Sequence, residues 1–547
     1  MKRRSFVAAL AVPFAARAPD VFRARQTGDE PARPSAAQLA WLDLEVGMFV
    51  HLAPNTWQDL EYDDRSIPPG ELQFAADPEQ WADTAVALGA RYIVLVAKHQ
   101  GGFCLWQTAT SEYSVRRTPW KNGSGDVMAE LAAACARRGL RLGVYLSPRD
   151  DFLGAGPSGR TATPEGQEAY NALARQQLTE LLTRYGPIAE VWFDGSSVVP
   201  VGDILTAHAG SAMIFQGPEA TIRWVGNEDG FAPDPVWNAL DRGDAATGIA
   251  TALHGDPRGN AWMPLEVDVS IRRPNWFWST SNESRLLKLE QLLEIYYRSV
   301  GRGAQLLLNL PPDRSGRIPD ADAARAKELG DELRRRFSRP AAETTGRGPT
   351  VTLQMREPMA VDHLVLEEDL RTGQRILSYT LEGHIAGRWQ SLGGGTSVGH
   401  KRIHPIAPRR YDGFRASFPA ALGVPGLRRL AAFHTEAAAP PTWFQGAPVW
   451  ADDSAGRWSG VALDVELTEK TAAAGQYRLR LVAVGGQSLA LTSPELLVNG
   501  VPAPDLLRVA PGRSDVLILT IPAPGQPIRL RGRMPPGSSG TVLLRRL

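Results

Sequence analysis

Four apolar runs in the first two hundred residues each close on a side chain that can move a proton or hold a hydroxyl group. GMFVHLA carries His51, RYIVLVAKH ends on His99, RLGVYLSP carries Tyr145, and EVWFDG ends on Asp194 before Gly195. A single aspartate after a strand reads equally well as the cap of the next helix. Four consecutive strands delivering imidazole, imidazole, phenol and carboxylate to one rim are hard to dismiss as four separate structural side chains and mark a candidate site. Hydrolysis of a glycosidic bond commonly uses two carboxyl groups, one ionised and one kept protonated by its surroundings. Asp194 suits the first role, and Glu228 in IRWVGNEDG and Glu266 in PLEVDVSIRRPNWFW compete for the second. Trp57, Tyr62, Phe103, Trp106, Trp192, Trp224, Trp276, Phe277 and Trp278 fall in or beside predicted loops. One such ring reads as core, but the cluster suits a carbohydrate pocket, because aromatic faces cover sugar C–H surfaces.

These groups need elements to hold them. Between about residues 40 and 338, short apolar runs without alternation, including AMIFQG (212–217) and AQLLLNL (304–310), are separated by helical patterns. One such pattern is Tyr170, Leu173, Leu178, Leu181, Leu182 and Tyr185 before Gly186. Uninterrupted apolar strands alternating with helices imply a parallel sheet buried on both faces. The length fits a (β/α)8-type barrel, and a dinucleotide-binding doubly wound sheet loses ground because no G-x-G-x-x-G follows the first strand. After RRRFSRPAAETTGRGPT (334–350) the helical stripes give way to alternating runs such as SYTLEGHIAGRWQSL and YRLRLVAV. The division expected is an export signal and linker over 1–35, the barrel over 36–338, and two β-sandwich domains over 339–436 and 437–547. The role of the last domain is not legible.

At 547 residues the chain exceeds one ordinary core, and 60 Lys and Arg against 59 Asp and Glu leave a net charge of only +1. With no long basic run, a nucleic-acid partner is not expected. Cys104 and Cys135 are too few for a disulfide framework and have no metal-ligand spacing, so they read as free thiols. Neither metal nor cofactor is expected. MKRRSFVAALAVPFAARA has Arg3 and Arg4, a short apolar stretch and a small-x-small end, the pattern of a twin-arginine export signal to the periplasm or the medium. No later stretch is apolar enough to span a membrane.

FVHLAPNTWQDLEY, KHQGGFCLWQTATSEYSV, NGSGDVMAEL, GVYLSPRD, EVWFDG, RWVGNEDG, EVDVSIRRPNWFW and IYYRSVGRGAQLLLNLPPDRSGRI follow in order from about residue 40 to 330. They resemble the successive blocks of the family 29 glycoside hydrolases, the retaining α-L-fucosidases, and most closely the α-1,3/1,4-selective branch. Residues 350–436 resemble the β-sandwich attached to that barrel. The resemblance implies that Asp194 is the nucleophile and Glu228 the general acid/base. It implies that His51, Glu61, His99, Tyr145 and Trp192 form the fucose pocket, and that the substrate is a fucosylated oligosaccharide or glycoconjugate. Gln100, Trp224, Glu266 and Trp276 lie in the same blocks and are taken as substrate-binding candidates, with Glu266 the rival acid/base. The commoner pattern K-H-H-D-G-F reads KHQGGF here: Gln100 keeps a hydrogen-bonding group, while Gly101 removes a charge. Sugar selectivity is therefore the open property. Two other readings stand beside an α-L-fucosidase, namely a related α-L-glycosidase and a glycan-binding protein without activity.

Overall fold

The computed structural model describes residues 30–195, 197–240, 254–437 and, with short interruptions, 453–546. The expected export signal lies almost wholly outside the described residues. Eight parallel strands form one sheet: β1 (Val46–Val50), β2 (Tyr92–Lys98), β3 (Arg141–Leu146), β4 (Ile188–Trp192), β5 (Met213–Phe215), β6 (Arg223–Trp224), β7 (Leu265–Ser270) and β8 (Gln305–Asn309). Their order is β5-β4-β3-β2-β1-β8-β7-β6, and a parallel bridge between Phe215 and Ile222 joins the two ends. The result is a nearly closed (β/α)8-type barrel.

The strands are apolar throughout because both faces are buried and successive side chains alternate between them. Phe49, Tyr92, Val94, Val96, Tyr145, Trp192 and Leu307 pack together as one cluster. Met48, Val50, Ile93, Leu95 and Ala97 belong to a second cluster that includes Trp81 and Leu131 of the surrounding helices. Those helices start and stop where the sequence directs. Asp77 caps Pro78–Leu88 by accepting from the Gln80 N–H at 3.1 Å, and Gly89, at φ 88°, ends it in a left-handed conformation that costs glycine nothing. The long helix Pro164–Arg184 buries Tyr170, Leu178, Leu181 and Leu182 against the barrel.

The last barrel helix, Asp320–Phe337, is followed by antiparallel strands. Six of them, from Ala342–Arg347 to Gly426–Phe433, form a sheet in which Thr350–Glu368 and Arg402–Ala421 each pair with strands on both sides. Register shifts bend these two long strands around a core that includes Val351, Leu364, Tyr379 and Phe414. The Gln374 side chain ties this unit to the barrel, accepting from the Asn238 N–H at 3.0 Å and donating to the Val236 carbonyl at 3.0 Å. Residues 453–546 form two further antiparallel sheets around a core that includes Leu463, Leu479, Leu519 and Leu530. Both cysteines are buried and unbridged. Among the described residues no helix is long and apolar enough to cross a membrane.

Candidate active site

The C-terminal ends of the barrel strands surround a cavity of about 290 Å³. Nine of the eleven candidate site residues line it: His51, Glu61, His99, Gln100, Tyr145, Trp192, Asp194, Glu228 and Trp276. They converge because each follows or ends a parallel strand, and parallel strands in a barrel deliver their ends to one face. Gly195 follows Asp194 at φ 82°, a conformation open to glycine, and the chain turns away there. Its N–H donates to the Gln216 side chain. The Tyr145 hydroxyl donates to Asp194 Oδ2 at 2.8 Å.

Glu228 and Glu61 are joined through Trp276. The Trp276 backbone N–H donates to Glu61 Oε1 at 2.8 Å, and its indole N–H donates to Glu228 Oε2 at 3.2 Å. Asn275 adds a second donor to Glu61 at 3.2 Å. Burial pushes the Glu61 carboxyl above the usual range, against these hydrogen bonds. Burial also raises Glu228, and the negative charges of Asp194 and Glu61 reinforce that shift against the Trp276 N–H and Arg273. Glu228 thereby holds a proton more readily than an ordinary carboxyl group, in the same cavity as the Tyr145-bound Asp194. Two carboxyl groups in different environments within one cavity can serve as acid and nucleophile.

Burial disfavours a charge on both histidines. Burial, with His99 nearby, holds His51 well below the ordinary imidazole value, and its Nδ1 lies 2.8 Å from Asn309 Oδ1. Asn309 is itself oriented by donating to Ser270 Oγ at 3.0 Å and to the Trp276 carbonyl at 2.8 Å. Its carboxamide oxygen therefore faces the ring, which makes His51 Nδ1 the donor and leaves Nε2 as an acceptor. Burial lowers His99 as well, opposed by the nearby charges of Asp194 and Asp63. The His99 ring stacks on Tyr145 at 6.0 Å, and Tyr145 stacks on Trp192 at 5.2 Å.

The other two candidate residues, Glu266 and Trp224, do not line the cavity, and neither do Trp57, Phe103, Trp106, Phe277 and Trp278 of the aromatic cluster. Glu266 is fully buried below it, accepting from the Trp192 indole at 2.9 Å and the Tyr92 hydroxyl at 3.1 Å. Trp224 is half-buried behind the wall, and its indole donates to Asp268 Oδ1 at 2.6 Å. Asp268 itself lines the cavity, a position the sequence reading passed over. Glu266 and Asp268 occupy β7 two residues apart, so they share a face. The later residue stands roughly 6 to 7 Å nearer the C-terminal rim. That spacing was the available signal, and it replaces Glu266 with Asp268 at the wall. Phe49, Tyr62 and Pro274 complete the lining.

Glu266 instead pairs with Glu190, whose Oε2 accepts from the Trp41 indole at 2.8 Å. Burial pushes Glu190 up to about 7, and burial together with the Glu190 charge raises Glu266 well above the ordinary carboxyl range. The folded pair therefore keeps a proton that the unfolded chain releases near pH 4.5. The folded state binds more protons between pH 4.5 and about 7, so stability is greatest below this window and falls as pH rises through it. Glu266→Gln, which keeps the donor to Glu190 without the shared proton, is expected to flatten that decline. Melting temperatures measured from pH 4.5 to 8 check it, and a variant that declines as steeply as the parent would refute the shared proton.

A barrel that gathers two carboxyl groups in unlike surroundings, Asp194 and Glu228, in an aromatic-walled cavity at its C-terminal face has the makings of a glycoside hydrolase. Residues 58–336 match the family described as Alpha-L-fucosidase. Alpha-L-fucosidase 1 of Arabidopsis thaliana is 33% identical over 420 residues, which cover 68% of this chain and 81% of that protein. A crystal structure from Bacteroides thetaiotaomicron VPI-5482 is 30% identical, covers 74% of this chain and 100% of its own, and superposes with a TM-score of 0.68. A glycoside hydrolase 29 family member from an unknown rumen bacterium, 27% identical, covers 95% of this chain and 97% of its own at a TM-score of 0.65. The chain belongs to the α-L-fucosidase family, and its activity is that of an α-L-fucosidase.

Proposed function

We propose that the protein is an exported, exo-acting, retaining α-L-fucosidase that releases fucose from α-1,3/1,4-fucosylated glycans by double displacement. In the first step Asp194 attacks the anomeric carbon while Glu228 gives its proton to the departing glycosidic oxygen. In the second, Glu228 takes a proton from water, and that water displaces Asp194 and frees the sugar. His51, Glu61, His99, Gln100 and Tyr145 hold the fucose hydroxyls, and Trp192 and Trp276 form its walls. Asp268, fixed by Trp224, adds a carboxyl group beside Glu228. The observation that carries the reading is the unlike pair: Asp194 with the Tyr145 hydroxyl donating to it, and Glu228 with its carboxyl raised by burial and by the charge of Asp194. The branch and linkage rest on the resemblance of the sequence blocks.

A hydrolysis panel tests it. An aryl α-L-fucoside is set beside α-1,2-, α-1,3-, α-1,4- and α-1,6-linked fucosyl oligosaccharides, with the first-formed anomer read by NMR and activity assayed in cytoplasmic and exported fractions. Release from the aryl, α-1,3 and α-1,4 substrates, α-fucose as first product, and activity outside the cytoplasm are expected. Equal rates on all linkages would remove the selectivity, β-fucose the retaining course, and cytoplasmic activity the export. No release from any substrate would favour a glycan-binding protein.

A further inference from the structure

Gly101 is not a glycine for backbone reasons: unlike Gly102, at φ 95°, it has no left-handed conformation. What stands in its side-chain space is Asp63. A Cβ on residue 101 would lie 2.5 Å from Asp63 Oδ2, 2.7 Å from its Cβ and 2.9 Å from its Cγ. Contacts that close reach the root of the Asp63 side chain, so turning its carboxylate would not relieve them. Nor is the carboxylate free to turn. It accepts from the Tyr113 hydroxyl at 2.7 Å, the Gln58 side chain at 2.8 Å and the Arg65 N–H at 2.8 Å. Tyr113 is buried, with its ring edge-on to Phe103 and stacked on Phe152, each at 5.1 Å.

Asp63 belongs to the segment that follows β1 and carries two cavity-lining residues, Glu61 and Tyr62. Gln100, beside Gly101, lines the same cavity. We infer that Asp63 is a positioning residue for the fucose cavity and acts as one unit with Gly101. Its carboxylate fills the space and supplies the charge that a side chain at 101 would otherwise hold, and by docking there it sets Glu61 and Tyr62 at the wall. The missing charge in KHQGGF is then a relocation from the end of β2 to the neighbouring loop. A carboxylate returned to residue 101 alone would expel Asp63 rather than improve the site.

This inference rests on the proposed role of Glu61 in holding substrate. Its test compares Asp63→Ala, Gly101→Asp and the exchange variant Asp63→Gly/Gly101→Asp with the parent on an aryl α-L-fucoside, with melting curves for each. Each single variant is expected to raise KM by about 10-fold or more while kcat stays within about 3-fold, as for a mispositioned binding group. The exchange variant should return KM to within about 3-fold of the parent, since coupled sites are not additive. A KM as poor as that of the worse single variant, or single variants with parental KM, would overturn the inference. Should Gly101→Asp fail to fold, Asp63→Asn, which keeps the shape and part of the hydrogen bonding, is expected to fall between parent and Asp63→Ala. Equal KM for all three would overturn the inference as well. An inactive parent would instead overturn the functional reading.

Discussion

Asp194→Gly is expected to lower turnover by a factor on the order of 10⁴ or more on every α-L-fucoside, whatever its leaving group. In the proposed double displacement the variant lacks the atom that forms the glycosyl-enzyme, and a better leaving group cannot supply one. The space vacated beside the Tyr145 hydroxyl can admit a small anion. Added azide should therefore attack the anomeric carbon directly, with one inversion, and an α-fucoside should yield β-fucosyl azide. Steady-state rates across aryl leaving groups, with NMR of the azide product, check this. Substantial residual turnover, or α-fucosyl azide, would show that the nucleophile lies elsewhere.

Glu228→Ala is expected to separate substrates that Asp194→Gly treats alike. An activated aryl leaving group departs with little protonation, so kcat/KM on it should fall only modestly. A natural disaccharide, which leaves as an alkoxide, should lose about 10² to 10⁴-fold, the usual contribution of a general acid. Azide needs no base and should intercept the glycosyl-enzyme still formed by Asp194. Two inversions then give α-fucosyl azide, the opposite anomer to that from Asp194→Gly. The parent's pH profile should carry the same signature. As the proposed general acid Glu228 would work in its protonated form, and its carboxyl is raised above 4.5, so kcat/KM should fall on an alkaline limb lying above that value. The limb should vanish in Glu228→Ala with the activated substrate. β-Fucosyl azide from this variant, or undiminished hydrolysis of the disaccharide, would move the acid/base role to another carboxyl group. The structure makes Asp268 the nearer alternative and Glu266, buried under Trp192, the poorer one.

His51, His99, Tyr145 and Asp194 are legible in the chain because a parallel barrel strand is apolar along its length, so the polar residue that closes it stands out. The helices are legible for a similar reason, since Asp77 and Gly89 are local start and stop signals whose physics needs no distant partner. β6 escapes such reading. It spans only Arg223–Trp224, too short for any period, and it is a strand because β7 lies beside it. Depth within the barrel is equally invisible along the chain. Glu266 and Asp268 are chemically alike and share a face, yet one is sealed beneath Trp192 and the other opens on the cavity, a difference set by where the neighbouring strands end.

The amino-acid sequence by itself determined the alternation of strands and helices, the identity of the polar residues at the strand ends, and the antiparallel texture beyond the barrel. These follow from periodicity and capping, which act over a few residues. Only the tertiary structure decided that Trp276 bridges Glu61 to Glu228, that Glu266 shares its surroundings with Glu190, and that Asp63 stands where a side chain of residue 101 would be. Each of these joins side chains from separate β/α units. A carboxyl group's protonation and reach depend on burial and on charges a few ångströms away, and closure of the barrel is what brings those charges together.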